Sequence, residues 1–177
     1  MNFKIISCGL LATTLLGVSP TLAQKKNPAI TPGTSGSGAL AEFKRCSVPA
    51  ATLPKDCDDT RKQIVRINAV VKLYQKGNQA VLADLITGAI DSDTYLGETY
   101  GAFFAAVAVK NPSEFLQAVS LKKKSEDRET LYRITALSLP DGQVSKVNRN
   151  LQKMATQKSD KLSLFAQEFL TEIKNSR

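Results

Sequence analysis

From Asp58 onward, nearly every segment of this chain repeats its apolar residues at intervals of three and four, and each repeat stops at a cluster of Gly, Pro, Asn, Asp or Ser. That period lines side chains along one stripe of an α-helix, whereas a half-buried strand needs strict alternation. Alternating β-branched runs bounded by turns are missing from the sequence, so the expected class is all-α. Asp58 or Asp59 can cap a helix carrying Ile64, Ile67, Val71 and Tyr74, with Gly77 as a left-handed stop. Asn78 opens a second, with Val81, Leu82, Leu85, Ile86 and Ala89, and a third follows Asp93 and runs to Lys110. Asn111 as cap, Pro112 at the first helical position and Glu114 just beyond begin a fourth, holding Phe115, Leu116, Val119 and Leu121. Ser125-Glu-Asp starts a fifth with Leu131, Ile134, Ala136 and Leu137, stopped by Pro140-Asp-Gly142. A sixth presents Val144, Val147, Leu151 and Met154, and a seventh, after Ser159-Asp160, presents Leu162, Phe165, Phe169 and Ile173.

Short connections make successive helices antiparallel neighbours, so these segments predict a single compact helical bundle or a short stack of antiparallel helical hairpins, with about seven helices. The segments vary in length and share no signature, which argues against a solenoid of fixed repeats. The third helix is the expected centre, because Tyr95 to Val109 carries a single charge, Glu98. A helix apolar on nearly all sides is buried, and fifteen residues at ~1.5 Å each fall short of the ~30 Å hydrocarbon core, so it is expected inside the fold. Gly97, Gly101 and Ala105 recur every fourth residue and form a smooth ridge on which another helix can come close.

The N-terminal region obeys different rules. Lys4, an apolar stretch from Ile5 to Val18 and a small-x-Ala ending at Ala23 match a secretory leader, so residues 1–23 are expected to be cleaved after Ala23 and the chain to be exported, periplasmic or secreted. Ile6-Ser7-Cys8-Gly9 loosely resembles a lipobox, but the apolar stretch continues well past Cys8, which favours a soluble product over a lipoprotein. Removal of the leader leaves 23 basic against 16 acidic side chains and two cysteines, Cys46 and Cys57. An even number in an exported chain predicts one disulfide, and closing a loop of this size contributes ~3 kcal/mol by chain entropy. The spacing is not C-x-x-C, which leaves the bridge structural. Residues 24–40, with Thr31-Pro-Gly-Thr-Ser-Gly-Ser-Gly38 at their heart, have too little apolar area to offset ordering entropy and are expected to be a flexible linker, leaving 41–177 as the helical domain.

Chemistry is constrained by what the chain lacks. With no His, it offers no imidazole base, no Ser-His or Cys-His nucleophile and no His-ligated metal, and neither a cofactor nor a metal site is expected. Asp91-Ser-Asp93 could open a calcium loop, but Tyr95, Leu96 and Ala102 occupy its fifth, sixth and twelfth positions, so Asp93 is expected to cap a helix instead. Ser120-Leu-Lys-Lys123 has the bare spacing of a serine acyl-enzyme without its companion motifs. Glu98, alone in an apolar helix, is the one candidate general acid, since burial would raise its pKa. In that respect the chain resembles lytic transglycosylases of the lysozyme type, which implies glycan cleavage as the alternative function. It lacks their Glu-Ser pair, any Gly-Leu-Met-Gln-like stretch and any Trp to stack on sugars.

Charge points elsewhere. Residues 77–110 carry one basic and four acidic groups, while residues 24–76 carry ten and four and residues 111–177 carry twelve and eight. Lys122, Lys123 and Lys124 form one basic run, and Lys146, Arg149 and Lys153, followed by Lys158, line the sixth helix with no acid among them. Surfaces of one sign attract anionic phospholipid, lipopolysaccharide, cell-wall polymer or an acidic protein. The sequence thus predicts an exported, non-enzymatic binding module whose partner is an anionic envelope component or an acidic protein, with those six residues as the binding set. Nucleic acid is not an expected partner, and no transmembrane segment is expected in the mature chain.

Overall fold

The computed structural model describes residues 36–90, 92–157 and 161–177. The leader, Cys8 and the first twelve residues of the expected linker lie outside the described residues, as do Asp91 and Lys158 to Asp160. Among the described residues there are eight α-helices and no strand: α1 (Gly36–Cys46), α2 (Thr60–Gln75), α3 (Val81–Ile90), α4 (Thr94–Lys110), α5 (Pro112–Ser120), α6 (Ser125–Ser138), α7 (Asp141–Thr156) and α8 (Ser163–Asn175).

Local chemistry sets most of the boundaries. The Asp59 carboxylate accepts from the Lys62 amide at 3.2 Å and starts α2. At its other end Gly77 takes φ 98°, its amide donates to Tyr74 O and the Asn78 amide to Leu73 O, the paired bonds of a Schellman stop. Asp93 caps α4 through the Leu96 amide at 2.9 Å. Asn111 caps α5 through the Glu114 amide, and Glu114 in turn accepts from the Tyr74 hydroxyl at 2.8 Å, so the α4–α5 corner is tied to α2. The Pro140-Asp-Gly142 stop is shorter than expected: Pro140 is the cap of α7, and Asp141 and Gly142 are already helical.

The extra helix is α1, which begins at Gly36 and takes in five residues of the expected linker. Its glycines disfavour a helix by ~1 kcal/mol each, yet Leu40 and Phe43 pack into the core and Cys46 is bonded to Cys57. Tertiary contacts therefore decide the conformation of a stretch that could not become helical alone. Around the bridge, Arg45 donates to both Glu42 and Asp56, and Arg66 reaches the same Glu42 carboxylate at 2.9 Å. Lys44 pairs with Asp84 on α3 at 2.9 Å.

α4 is the hub, packing against α2, α3, α5, α6 and α7. It is not enclosed on all sides: Tyr95, Glu98, Ala102 and Ala106 form an exposed stripe, opposite buried Leu96, Tyr100, Phe104, Val107 and Ala108. Aromatic rings carry the core outward from it, with Phe104 5.9 Å from Phe115, Phe115 5.3 Å from Phe169, and Phe169 5.1 Å from Tyr132. Leu121 and Leu137, expected on buried helical faces, are instead exposed. The small-residue ridge faces α6. A Cβ placed on Gly101 would lie 2.5 Å from the Ile134 carbonyl oxygen and 2.4 Å from Ser138 Oγ, whereas one on Gly97 would meet nothing closer than 3.9 Å.

Two outcomes follow from this packing. Gly101→Ala should lose about 2–3 kcal/mol, because backbone cannot yield to the added methyl, while Gly97→Ala should be neutral or gain up to ~1 kcal/mol of helix propensity; thermal midpoints of the two variants check both. Arg45 holds the Glu42 and Asp56 carboxyls below their usual ranges, with Arg66 adding to the effect at Glu42. Groups with depressed folded pKa values stabilise the fold above their unfolded values, and that contribution disappears as pH falls through the folded ones. Stability should therefore drop as pH is lowered below ~4, and Arg45→Ala should flatten that dependence in urea titrations.

Candidate functional site

The packing of the last three helices brings part of the predicted basic set, the Lys122–Lys124 turn and Lys153, to one end of the fold. Arg128 in the first turn of α6 meets Glu168 of α8, and the last residue, Arg177, reaches the Leu139 carbonyl at the far end of α6, so α6 and α8 run parallel. α7 returns antiparallel to both: Arg177 pairs with Asp141 at its start, and Ser163 Oγ donates to Ala155 O near its end. The start of α6, the turn Leu121–Lys124 before it, the end of α7 and the start of α8 thus share one end.

Arg128 organises that end. Its side chain is only 12% exposed, and the guanidinium makes a two-pronged contact with Glu168, at 2.7 and 2.9 Å. A third nitrogen donates to the carbonyls of Lys122 and Lys123, each at 3.1 Å, and the plane lies 5.5 Å from the Phe165 ring centre. One side chain therefore fixes the lysine turn against the first turns of α8, by the planar fork geometry that Lys cannot reproduce. The neighbouring Tyr132 hydroxyl is buried, and burial first, then Glu168, pushes its pKa up.

The six predicted binding residues separate into three positions. Lys123 and Lys124 are exposed in the turn, while Lys122 is half-buried and donates to Thr87 Oγ1 of α3 at 2.7 Å. Lys153 lies in the last turn of α7 at the same end, where exposed Lys161 joins it. Lys146 and Arg149 are exposed one to two turns further back along α7, opposite its buried Val147 and Leu151. Sequence periodicity did not single out Arg128 or Lys161. Arg128 has no local signal, because its carboxylate partner is forty positions away. Acidic neighbours at this end are Glu126 and Asp127 in the first turn of α6, Glu129 just beyond them, and Glu168, which Arg128 pairs.

Glu98 lies elsewhere, in an open groove of about 570 Å³ between α4 and α6 with Asp93, Thr130 and Arg133. Its side chain is exposed, so the apolar enclosure that would suit it to general-acid work is not provided. Asp93 is engaged as the α4 cap. Among the described residues no group of three or more His, Cys, Asp or Glu is placed to hold a metal ion.

Compared with known proteins, the chain matches no family model, no curated protein and no solved structure.

Removing the organising side chain should be felt beyond its own contacts. Arg128→Ala should destabilise by about 1–3 kcal/mol, the range for losing hydrogen bonds to a charged group, and should speed amide exchange in the Leu121–Lys124 turn while leaving the disulfide-linked α1–α2 region unchanged. Hydrogen exchange read by mass spectrometry separates the two regions.

Proposed function

We propose that the protein is a non-catalytic binding module of the cell envelope, which holds an anionic, phosphate-bearing component of that envelope at the basic end formed by Lys122–Lys124, Lys153 and Lys161. The single observation behind this function is the Arg128 clamp, in which a little-exposed arginine side chain holds a lysine-bearing turn in place. A turn needed only for solubility would gain nothing from being fixed. With Glu168 paired to Arg128, the five lysines still outnumber the nearby Glu126, Asp127 and Glu129, which leaves this end net basic. Lys146 and Arg149 extend it along α7. Export, expected from the leader, supplies the compartment in which such a partner is met. An acidic protein would satisfy the same charge, but offers less of the dense, repeated negative charge that several adjacent lysines can engage together. Glycan cleavage with Glu98 as acid has the α4–α6 groove in its favour, but the Glu98 side chain there is exposed and lacks apolar enclosure.

Immobilised polyphosphate tests the electrostatic core of this function. The purified protein should be retained at low ionic strength and released as salt approaches a few tenths molar, where the Debye length falls well below ~8 Å. Lys123→Gln combined with Lys124→Gln and Lys153→Gln should elute at distinctly lower salt, with an unchanged thermal midpoint. Retention indifferent to salt, or equal in the triple variant, would refute it.

A further inference from the structure

Leu121 and Leu164 stand out at the basic end. Leu121 caps α5 and is 68% exposed, and Leu164 in the first turn of α8 is 59% exposed. Each sits beside lysines in the chain, Leu121 directly before Lys122–Lys124 and Leu164 three residues after Lys161. The other large exposed apolar side chains among the described residues are Val65, Tyr95 and Leu137, on α2, at the start of α4 and in the last turn of α6. Arg128 couples the two leucine-bearing segments rigidly, since one guanidinium holds the carbonyls of the lysine turn as well as Glu168 and the Phe165 ring of α8. The result is an end at which two exposed leucines adjoin exposed Lys123, Lys124, Lys153 and Lys161.

Resting on the polyanion binding proposed above, we infer that this end docks peripherally on an anionic lipid bilayer, with the lysines on lipid phosphates and Leu121 and Leu164 entering the interface between the headgroups. Charge alone would serve a soluble polymer, on which the leucines would stay in water. A bilayer surface is the partner that offers anionic groups in a plane and an apolar layer directly beneath them, so it accepts both residue types at once. Docking is peripheral because no helix among the described residues is long and apolar enough to cross a membrane. Glu126 and Asp127, flanking the turn, oppose the attraction in part and make it dependent on a high density of anionic lipid.

Co-sedimentation of the purified protein with vesicles of phosphatidylglycerol and phosphatidylcholine, and of phosphatidylcholine alone, tests this, beside polyphosphate retention as a control. The wild type should bind only the anionic vesicles. Leu121→Ser combined with Leu164→Ser should weaken that binding about tenfold or more, as expected for losing two partly inserted apolar side chains, while polyphosphate retention and the thermal midpoint stay the same. Vesicle binding equal in the leucine variant and the wild type would overturn the bilayer inference and leave the polyanion function standing. Failure of the wild type on both vesicles and polyphosphate would overturn both. A wild-type dimer that dissociates on the leucine substitutions, without vesicle binding, would mean that a second copy covers these leucines, and would also overturn it.

Discussion

The close approach of α4 to α6 at Gly101 is the contact on which the remaining architecture depends. Because no side chain separates the two backbones there, α4 can sit at the centre of the molecule and still leave the other helices within reach of its aromatic residues. Phe104 then meets Phe115, and Phe115 meets Phe169, so a single chain of rings joins α4, α5, α8 and α6. Widening that spacing by one methylene would have to be absorbed by rings that are already fully buried, and close-packed interiors yield poorly to such changes.

Two polar clamps work at either side of this apolar centre, and they differ in kind. Around the Cys46–Cys57 bridge, Arg45 and Arg66 converge on Glu42, and Arg45 also takes Asp56, in a network that is exposed except at Arg66. Such pairs are weak singly and draw their value from sharing partners next to a covalent link. Arg128 is the opposite case, little exposed and engaged on every side, and removing it would strand Glu168 and two carbonyls together.

The helical class and most of its punctuation are legible in the sequence because they are local. Asp59, Gly77, Asp93 and Asn111 each act on backbone groups within five residues, and each occupies the boundary that its chemistry favours. α1 is illegible for the converse reason, since Gly36-Ser-Gly38 has no helical preference and its conformation comes from Leu40, Phe43 and a bridge to Cys57. Leu121 and Leu137 fit a helical stripe, but Leu121 comes after α5 has ended and Leu137 lies off the packed face of α6, which stays buried at Ala136 and Leu139. For the basic end, the lysine run and the α7 series are visible as charge, whereas their assembly at one place requires α6 and α8 to run parallel around an intervening α7, a relation carried by contacts some forty residues apart.

The ring stack of Tyr132 on Phe169 has an optical consequence. With no Trp in the chain, its near-ultraviolet signals come from four tyrosines, seven phenylalanines and the Cys46–Cys57 bridge. Tyr132 and Tyr100 are buried in asymmetric surroundings, the former with its ring plane 16° from that of Phe169, while Tyr95 is 71% exposed. Near-ultraviolet circular dichroism is therefore dominated by rings of the interior, and reports loosening of side-chain packing separately from loss of helix.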